Sequence, residues 1–164
     1  MNKTLLSLLI VGLAIFAFSC QPAAPADLSQ ADKDAVKATI DKYVQASISA
    51  DWDAWGSTLA ADVVVSPPNL APITGRQAAV AWIKTFPKIS SFTVNVEEVT
   101  GRGDLAFARG TYAVGFTLAD GSAATDRGSF LEVHRRQADG MWPYTHLMFH
   151  STDPLPPVPP TGKK

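Results

Sequence analysis

The second half of the chain contains four segments in which apolar and polar residues alternate. They are SFTVNVEEV, DLAFARGTYAVGFTL, TDRGSFLEVHRR and MWPYTHLMFH, beginning at Ser91, Asp104, Thr125 and Met141. Alternation with period two is typical of β-strands, and the short turn sequences TGRGD, ADGS and QADG separate the segments. Long strands joined by short turns predict an antiparallel meander.

The residues before this meander carry helical patterns. Ser29 and Asp32 have the spacing of an N-cap signal, and Asp51 can cap a short second helix. Thr74 and Gln77 have the spacing of a capping box for a third helix, AAVAWIKTF, and the brief strand DVVVS precedes it. Helices followed by strands predict an α+β fold, in which three N-terminal helices cover one face of a curved antiparallel sheet.

The first twenty residues have the pattern of an export signal. A short basic start precedes the apolar run LLSLLIVGLAIFAF, and AFSC then places the only cysteine at Cys20. This ending resembles a bacterial lipobox, which predicts a signal peptide over 1–19, lipidation of Cys20 and a lipoprotein on the outer membrane or cell surface. Ordinary secretion and an uncleaved anchor remain alternatives. A Pro/Ala tether over 20–28, one domain over 29–152 and a Pro-rich tail over 153–164 complete the predicted organisation.

Composition narrows the classes of function. A formal net charge of −1 with scattered basic residues argues against binding to nucleic acid. The sequence contains no G-x-S-x-G nucleophile motif and no phosphate-binding loop, because TGRG at 100–103 is a turn between strands. We therefore predict neither nucleophilic catalysis nor a cofactor.

The turns also predict which side chains share a face of the sheet. If Asp120–Gly121 and Asp139–Gly140 are two-residue loops, Arg109 lies opposite Glu132. Alternate residues of a strand point to opposite faces. One face, called the inner face below, then contains Phe92, Val94, Val96, Phe107, Arg109, Thr111, Ala113, Phe130, Glu132, His134, Thr145, Leu147 and Phe149.

The outer face is also rich in apolar and aromatic groups. A sheet with two apolar faces usually covers both, so a partner subunit is expected where the helices are not. The predicted homodimer contact consists of Tyr112, Trp142, Tyr144, His146, Met148 and His150.

The same register separates the histidines. His134 lies on the inner face, whereas His146 and His150 lie on the outer face. The latter two are four residues apart, about 13 Å along a strand, and zinc needs each ligating nitrogen at about 2 Å. No metal site is predicted.

The succession of elements resembles the SnoaL-like proteins, and especially domain of unknown function 4440, within the ketosteroid isomerase and nuclear transport factor 2 superfamily. The residues that carry the resemblance are YVQASISADWDAW, ITGRQAAVAWI, GDLAFARGTYAV, TDRGSFLEVHRRQADGMW and HSTDP. The resemblance implies a cone-shaped α+β fold whose inner face and helices line a cavity. The superfamily contains isomerases, cyclases, dehydratases and assembly modules, so it does not by itself name a reaction.

The resemblance implies roles for three positions. Tyr43 falls where the isomerases carry an oxyanion-stabilising tyrosine, and Glu132 falls near their second, protonated acid. Their general base is an aspartate at the position of Pro67, and proline cannot abstract a proton. Relatives of unknown function typically carry an aspartate and a tryptophan on the last strand, where this chain has Leu147 and Phe149.

Each candidate also has a structural interpretation. Arg109 with Glu132 could read a carboxylate or hydroxyl group of a ligand, or form an ion pair within the cone. His134 is either a general acid or base or a hydrogen-bonded wall residue. The remaining candidate pocket residues are Thr111, Phe107, Phe130, Thr145, Leu147, Phe149, Trp52, Trp55 and Trp82, and the tryptophans with Phe86 form either an aromatic mouth or core.

Three functions remain open at this point. The preferred one is a membrane-tethered dimer that binds a small, partly apolar molecule in its cone, without established catalysis. The alternative is an acid–base enzyme, such as an isomerase, dehydratase or cyclase, that uses His134, Glu132 and Tyr43. The third is a dimeric assembly module.

Overall fold

The computed structural model describes residues 24–153, which contain three helices and one six-stranded sheet. The predicted signal peptide, the lipidation site Cys20 and residues 154–164 of the predicted tail lie outside the described residues. The helices are α1 (Gln30–Ser49), α2 (Trp52–Ser57) and α3 (Arg76–Ile83). The strands are β1 (Leu59–Ser66), β2 (Ile73–Thr74), β3 (Lys88–Arg102), β4 (Leu105–Thr117), β5 (Ala123–Arg135) and β6 (Tyr144–Ser151).

The sheet order is β2-β1-β6-β5-β4-β3. Strands β3 to β6 form the predicted antiparallel meander, and β1 pairs with β6 in parallel. The α+β prediction is confirmed, with the helices on one face of a curved, unclosed sheet. No helix within residues 24–153 combines the length and apolar character needed to cross a membrane.

Local signals explain where the helices begin. Ser29 accepts a hydrogen bond from the backbone N–H of Asp32, and the Asp32 carboxylate accepts one from the N–H of Ser29, so the predicted cap of α1 is confirmed. Asp51 caps α2 as predicted. The capping box at Thr74 is wrong, because the backbone of Thr74 pairs with β1 in the sheet and α3 begins after Gly75, whose φ is 92°.

The β4–β5 hairpin departs from the predicted register by one residue. Its loop has three residues, 119–121, closed by a hydrogen bond from the N–H of Leu118 to the carbonyl of Ser122, with Gly121 at φ 83°. Arg109 therefore pairs with Leu131, and Ala108 lies opposite Glu132. Because side chains alternate, this shift moves the β4 side chains that were assigned to the inner face onto the outer one.

The β5–β6 hairpin has the same kind of loop but keeps most of the predicted register. The N–H of Gln137 donates to the carbonyl of Met141, which again leaves three residues in the loop. A β-bulge at Thr145 then adds one residue to β6, since His134 pairs with Tyr144 while Val133 pairs with His146. The bulge restores the predicted pairs Glu132–Leu147 and Phe130–Phe149, and it turns Tyr144 inward.

Candidate ligand-binding site

A cavity of about 90 Å³ lies between the concave face of the sheet and helices α1 and α3. Its walls are mainly aromatic and aliphatic, with two carboxyl groups among them. It is lined by Tyr43, Ser47, Trp82, Ile83, Phe86, Ile89, Phe92, Val94, Tyr112, Val114, Phe116, Asp126, Phe130, Glu132, Leu147 and Phe149. The side chains come from both helices and from strands β3 to β6, so closure of the cavity requires the complete fold.

The structure brings part of the predicted site together. The predicted residues that line the cavity are Tyr43, Trp82, Phe130, Glu132, Leu147 and Phe149. Trp55 is fully buried in the core, and Trp52 packs against that core, so neither belongs to the wall. Thr145 is half-buried at the bulge, where its hydroxyl donates to the carbonyl of Val133.

Three predicted pocket residues point the other way. Phe107, Arg109 and Thr111 are exposed on the outer face, because the three-residue loop shifts β4 by one position. The predicted Arg109–Glu132 pair is wrong. Arg109 instead binds the exposed carboxylates of Glu97 at 2.7 Å and Glu98 at 2.8 Å. The cavity thus lacks the cation that was expected to read a carboxylate ligand.

Glu132 and His134 form a buried pair behind the wall. The imidazole is completely buried, and its Nδ1 lies 3.0 Å from the carbonyl oxygen of Trp142. A carbonyl only accepts, so Nδ1 carries a hydrogen, and in the neutral ring Nε2 keeps a lone pair. Nε2 lies 3.5 Å from Oε2 of Glu132. One further proton therefore suffices for the pair, on either the carboxyl or the imidazole.

The position of His134 is fixed from several directions. Its ring lies 4.4 Å from the ring of Tyr144, measured between centroids. The indole of Trp142, whose carbonyl orients the imidazole, packs under the Arg136 guanidinium at 4.9 Å. Arg136 in turn pairs with Asp32 in the first turn of α1. A chain of contacts thus joins the start of α1 to the buried pair.

Several buried polar atoms around this pair have no hydrogen-bond partner within the described residues. They are Nε1 of Trp55, Oε2 of Glu132, Nε2 of His134 and the hydroxyl of Tyr144. The ring of Tyr43 lies 5.2 Å from that of Trp55 and 5.3 Å from that of Tyr144, so this polar cluster meets the cavity at Tyr43 and Glu132. An unpaired buried polar group costs about 1–3 kcal/mol, and a polar group reaching the inner end of the cavity would lower that cost.

Burial controls the protonation of the inner end. Burial raises the pKa of Glu132, and the neighbouring imidazole of His134 only partly opposes this. Burial and the charge of Glu132 raise the pKa of Tyr43, and the same two causes, in that order, raise the pKa of Tyr144. Both tyrosines therefore remain hydrogen-bond donors at neutral pH.

The raised pKa of Glu132 predicts a pH dependence of stability. The folded chain binds the Glu132 proton more tightly than the unfolded chain, so the linked stabilisation is complete below the ordinary value of 4.5 and is lost as the pH rises through the folded-state pKa. Relative to Glu132→Gln, the wild type should lose free energy of unfolding across that window. Urea denaturation of both proteins at pH steps from 4 upward measures the difference; parallel curves would contradict the prediction.

A second polar group lies nearer the open side of the cavity. The hydroxyl of Tyr112 donates to Oδ2 of Asp126 at 2.7 Å, and the hydroxyl of Ser151 donates to Oδ1. Asp126 was not among the residues predicted for the site, and Tyr112 and Tyr144 were predicted on the outer face. Tyr112, Trp142 and Tyr144 are buried within the chain, so their assignment to a subunit contact is wrong. A three-residue loop in the β4–β5 hairpin would have placed Tyr112 inward, and a three-residue loop in the β5–β6 hairpin would have placed Tyr144 inward.

The histidines are separated as predicted. His134 is buried inward, whereas His146 and His150 are exposed on the outer face with Met148 between them. Residues 24–153 contain no group of three or more histidine, cysteine or acidic side chains arranged to hold a metal ion.

Comparisons with known proteins agree with this architecture. The ketosteroid isomerase-like protein of Erwinia carotovora atroseptica has a TM-score of 0.69 and 20% identity, covering 77% of this chain and 100% of that one. A conserved protein of Planctomyces limnophilus has a TM-score of 0.69 and 19% identity, covering 75% of this chain and 99% of that one. A nuclear transport factor 2-like superfamily protein of Salmonella enterica has a TM-score of 0.66 and 16% identity, covering 83% and 100%.

These identities establish the fold alone, and a search of curated proteins found no match. Sequence assigns the family more narrowly, because the family model of the SnoaL-like domain matches residues 40–145. That segment contains α2, α3 and β1 to β5 whole, with the second half of α1. The chain therefore belongs to the SnoaL-like domain family and has the nuclear transport factor 2-like fold.

Proposed function

We propose that this domain binds a small, mostly apolar molecule that places one polar group beside Glu132. The observation that carries the proposal is an apolar cavity that ends on a buried carboxyl group. Its Oε2 has no hydrogen-bond partner within the described residues, and its neighbour Nε2 of His134 lies 3.5 Å away. Ligand sites are typically apolar pockets with a few polar groups that fix orientation. Arg109 lies on the outer face, and no lysine, arginine or histidine lines the described cavity. The cavity walls therefore supply no positive charge that would attract an anionic ligand.

The volume limits the size of the occupant. Drug-sized ligands occupy pockets of about 300–1,000 Å³, and an engineered cavity of about 150 Å³ holds benzene. A cavity of about 90 Å³ suits a molecule no larger than a single small ring in this conformation. A steroid would require the walls to move apart.

Phenol is a suitable probe, because it joins one ring to one hydroxyl group. We expect millimolar phenol to raise the melting temperature of the wild type and to change the fluorescence of Trp82, which lines the cavity. Val94→Phe should fill the cavity and abolish both effects. Thr93→Phe is the matched control, because Thr93 is exposed on the other face of the same strand. Phenol binding that survives Val94→Phe would overturn the proposal.

A second candidate function is acid–base catalysis, and the Glu132–His134 pair favours it. The two groups are 3.5 Å apart and need only one proton between them, so the pair could move a proton to or from a bound carbonyl compound. Pro67 still occupies the position of the isomerase base, and it does not line the cavity. Deuterium exchange at the α-carbon of cyclohexanone tests this function by NMR. Exchange no faster than that with Glu132→Gln would exclude it for this substrate.

We further propose that the chain forms a homodimer through the outer face of the sheet, as defined by the observed strand register. Exposed apolar side chains on its three central strands are Phe107, Leu131 and Met148, with His146 and His150 beside Met148. Contiguous apolar surface of this kind is commonly covered by a second subunit. Sedimentation of residues 24–153 should give a dimer at micromolar concentration, and Leu131→Lys should give a monomer. A monomeric wild type would contradict this proposal.

The N-terminal sequence supports export as a membrane-tethered lipoprotein. The apolar run and the single cysteine at Cys20 are its basis. Metabolic labelling with a fatty acid should mark the wild type, and Cys20→Ser should lose both the label and sedimentation with membranes. An unlabelled wild type would favour ordinary secretion.

A further inference from the structure

A continuous belt of five aromatic rings borders the open side of the cavity. Successive centroids are 6.1 Å apart from Phe116 to Phe86, 4.7 Å from Phe86 to Trp82, 6.5 Å from Trp82 to Phe149 and 5.8 Å from Phe149 to Tyr112. All five line the cavity, and all except Tyr112 are only half-buried, which places the belt toward solvent. The belt draws on α3, its following turn, β4 and β6.

A carboxylate completes this belt. Asp126 lines the cavity next to Tyr112, and both of its oxygens accept hydrogen bonds, from Tyr112 and from Ser151. These bonds fix the carboxylate beside the rings without neutralising it, because both donors are uncharged hydroxyl groups. The half-buried position limits screening by solvent.

Positive charge is absent from the walls. None of the described residues that line the cavity is basic, although two carboxyl groups and eight aromatic rings are present. Arg127 follows Asp126 in sequence, but it is exposed, does not line the cavity and pairs with Asp153 at 3.3 Å. Lys84 and Lys88 flank the segment that carries Phe86, and both are exposed and outside the lining.

Aromatic faces carry partial negative charge and attract cations within about 6 Å of the ring centre, most strongly when the cation sheds water. A half-buried carboxylate at the same place adds attraction of the same sign. A neutral apolar molecule would gain nothing from Asp126, and an anion would be repelled by it. The site therefore discriminates by charge as well as by shape.

We propose that the ligand of this cavity is a small organic cation with a methylated ammonium group. The ammonium would lie between the aromatic belt and Asp126, and the rest of the molecule would extend toward Glu132. This inference rests on the proposed binding function and deepens it by naming the chemical class of the ligand.

A matched pair of probes separates charge from shape. Choline and 3,3-dimethyl-1-butanol differ only in the central nitrogen or carbon, so the first is a cation and the second is neutral. Titration followed by Trp82 fluorescence and by NMR should show choline binding at least tenfold more tightly. Added salt should weaken choline binding and leave the neutral alcohol unchanged.

Two variants locate the interaction. Asp126→Asn should reduce choline affinity about tenfold, as expected for the loss of about 1.4 kcal/mol, with little effect on the alcohol. Asp62→Asn is the control, because it removes an exposed carboxylate on β1 that does not line the cavity. Trp82→Leu should weaken choline more than the alcohol.

The outcomes also distinguish this inference from the proposed function. Equal affinity of the wild type for choline and the alcohol, or tighter binding of the alcohol, would overturn the cation inference while the pocket assignment stands. The cation inference also fails if Asp126→Asn and Asp62→Asn bind choline equally well. If neither probe nor phenol binds, both the proposed function and this inference fail.

Discussion

Replacing His134 by phenylalanine should lower the free energy of unfolding by about 3 kcal/mol at pH 7, the scale seen when one partner of a buried polar pair is removed. The substitution keeps a ring of similar size in a fully buried position, so it tests the polar contacts more than the packing. Glu132 would lose its neighbour at 3.5 Å, and the carbonyl of Trp142 would lose its donor.

A double variant tests whether the cost comes from the stranded carboxyl group. In Glu132→Leu/His134→Phe, no buried carboxyl remains, and well-packed apolar replacements of buried pairs are often neutral. The double variant should regain most of the loss, which urea denaturation of all four proteins in a double-mutant cycle measures. Thr93→Phe is the control at an exposed position outside the proposed subunit contact, and it should change stability by less than about 0.5 kcal/mol. Additive effects of the two single substitutions would contradict the assignment.

The same variant should become more sensitive to pH. The nearby imidazole of His134 lowers the pKa of Glu132 against the effect of burial, so removing it raises that pKa further. The stability of His134→Phe relative to wild type should therefore fall as the pH rises above the ordinary glutamate value. A loss that is the same at pH 5 and pH 7 would indicate a packing defect.

Gly128→Ala is expected to have an effect of similar size for a different reason. A Cβ at this position would lie 1.8 Å from the carbonyl oxygen of His150 and 2.8 Å from a ring carbon of Tyr112. Strands β5 and β6 pair at this point, so the backbone of one strand would have to move. Overpacking costs about 1–3 kcal/mol, and we expect about 3 kcal/mol because the clash is with backbone.

Gly121→Ala provides the matched control. Nothing lies within 4 Å of a Cβ at Gly121, but its φ of 83° is unfavourable for alanine. This substitution should cost about 1 kcal/mol from backbone strain alone. Thermal or urea unfolding of the two variants compares the cost of a steric clash with the cost of backbone strain. A smaller loss of unfolding free energy for Gly128→Ala than for Gly121→Ala would show that β5 and β6 separate easily at Gly128.

The sequence predicted the elements of the fold better than it predicted their faces. Alternating residues identified all four long strands, and Ser29 and Asp51 marked the starts of α1 and α2. These signals are local, so they survive without knowledge of the rest of the chain. The strand β2 was missed because its two residues pair only through tertiary contact with β1.

The cavity wall was harder to predict, because it depends on a single residue in a loop. A two-residue and a three-residue loop both suit Asp120–Gly121, yet they put Arg109 on opposite faces of the sheet. On β6 the same error was cancelled by the bulge at Thr145, so Leu147 and Phe149 were placed correctly while Tyr144 was not. Glu132 was placed in the cavity correctly, because it lies on β5 and the registers of both hairpins were predicted relative to that strand.

The position of β6 in the sheet has a consequence for biogenesis. In the sheet, β1 reaches the meander only through β6, which is the last strand to be synthesised. Until residues 144–151 emerge, β1 and β5 both present unpaired edges, and the inner wall lacks Leu147 and Phe149. Folding during synthesis on the ribosome therefore cannot complete the sheet strand by strand. Strand β1 joins the meander only once β6 is available, so the sheet is complete only after almost all of the described domain has been synthesised.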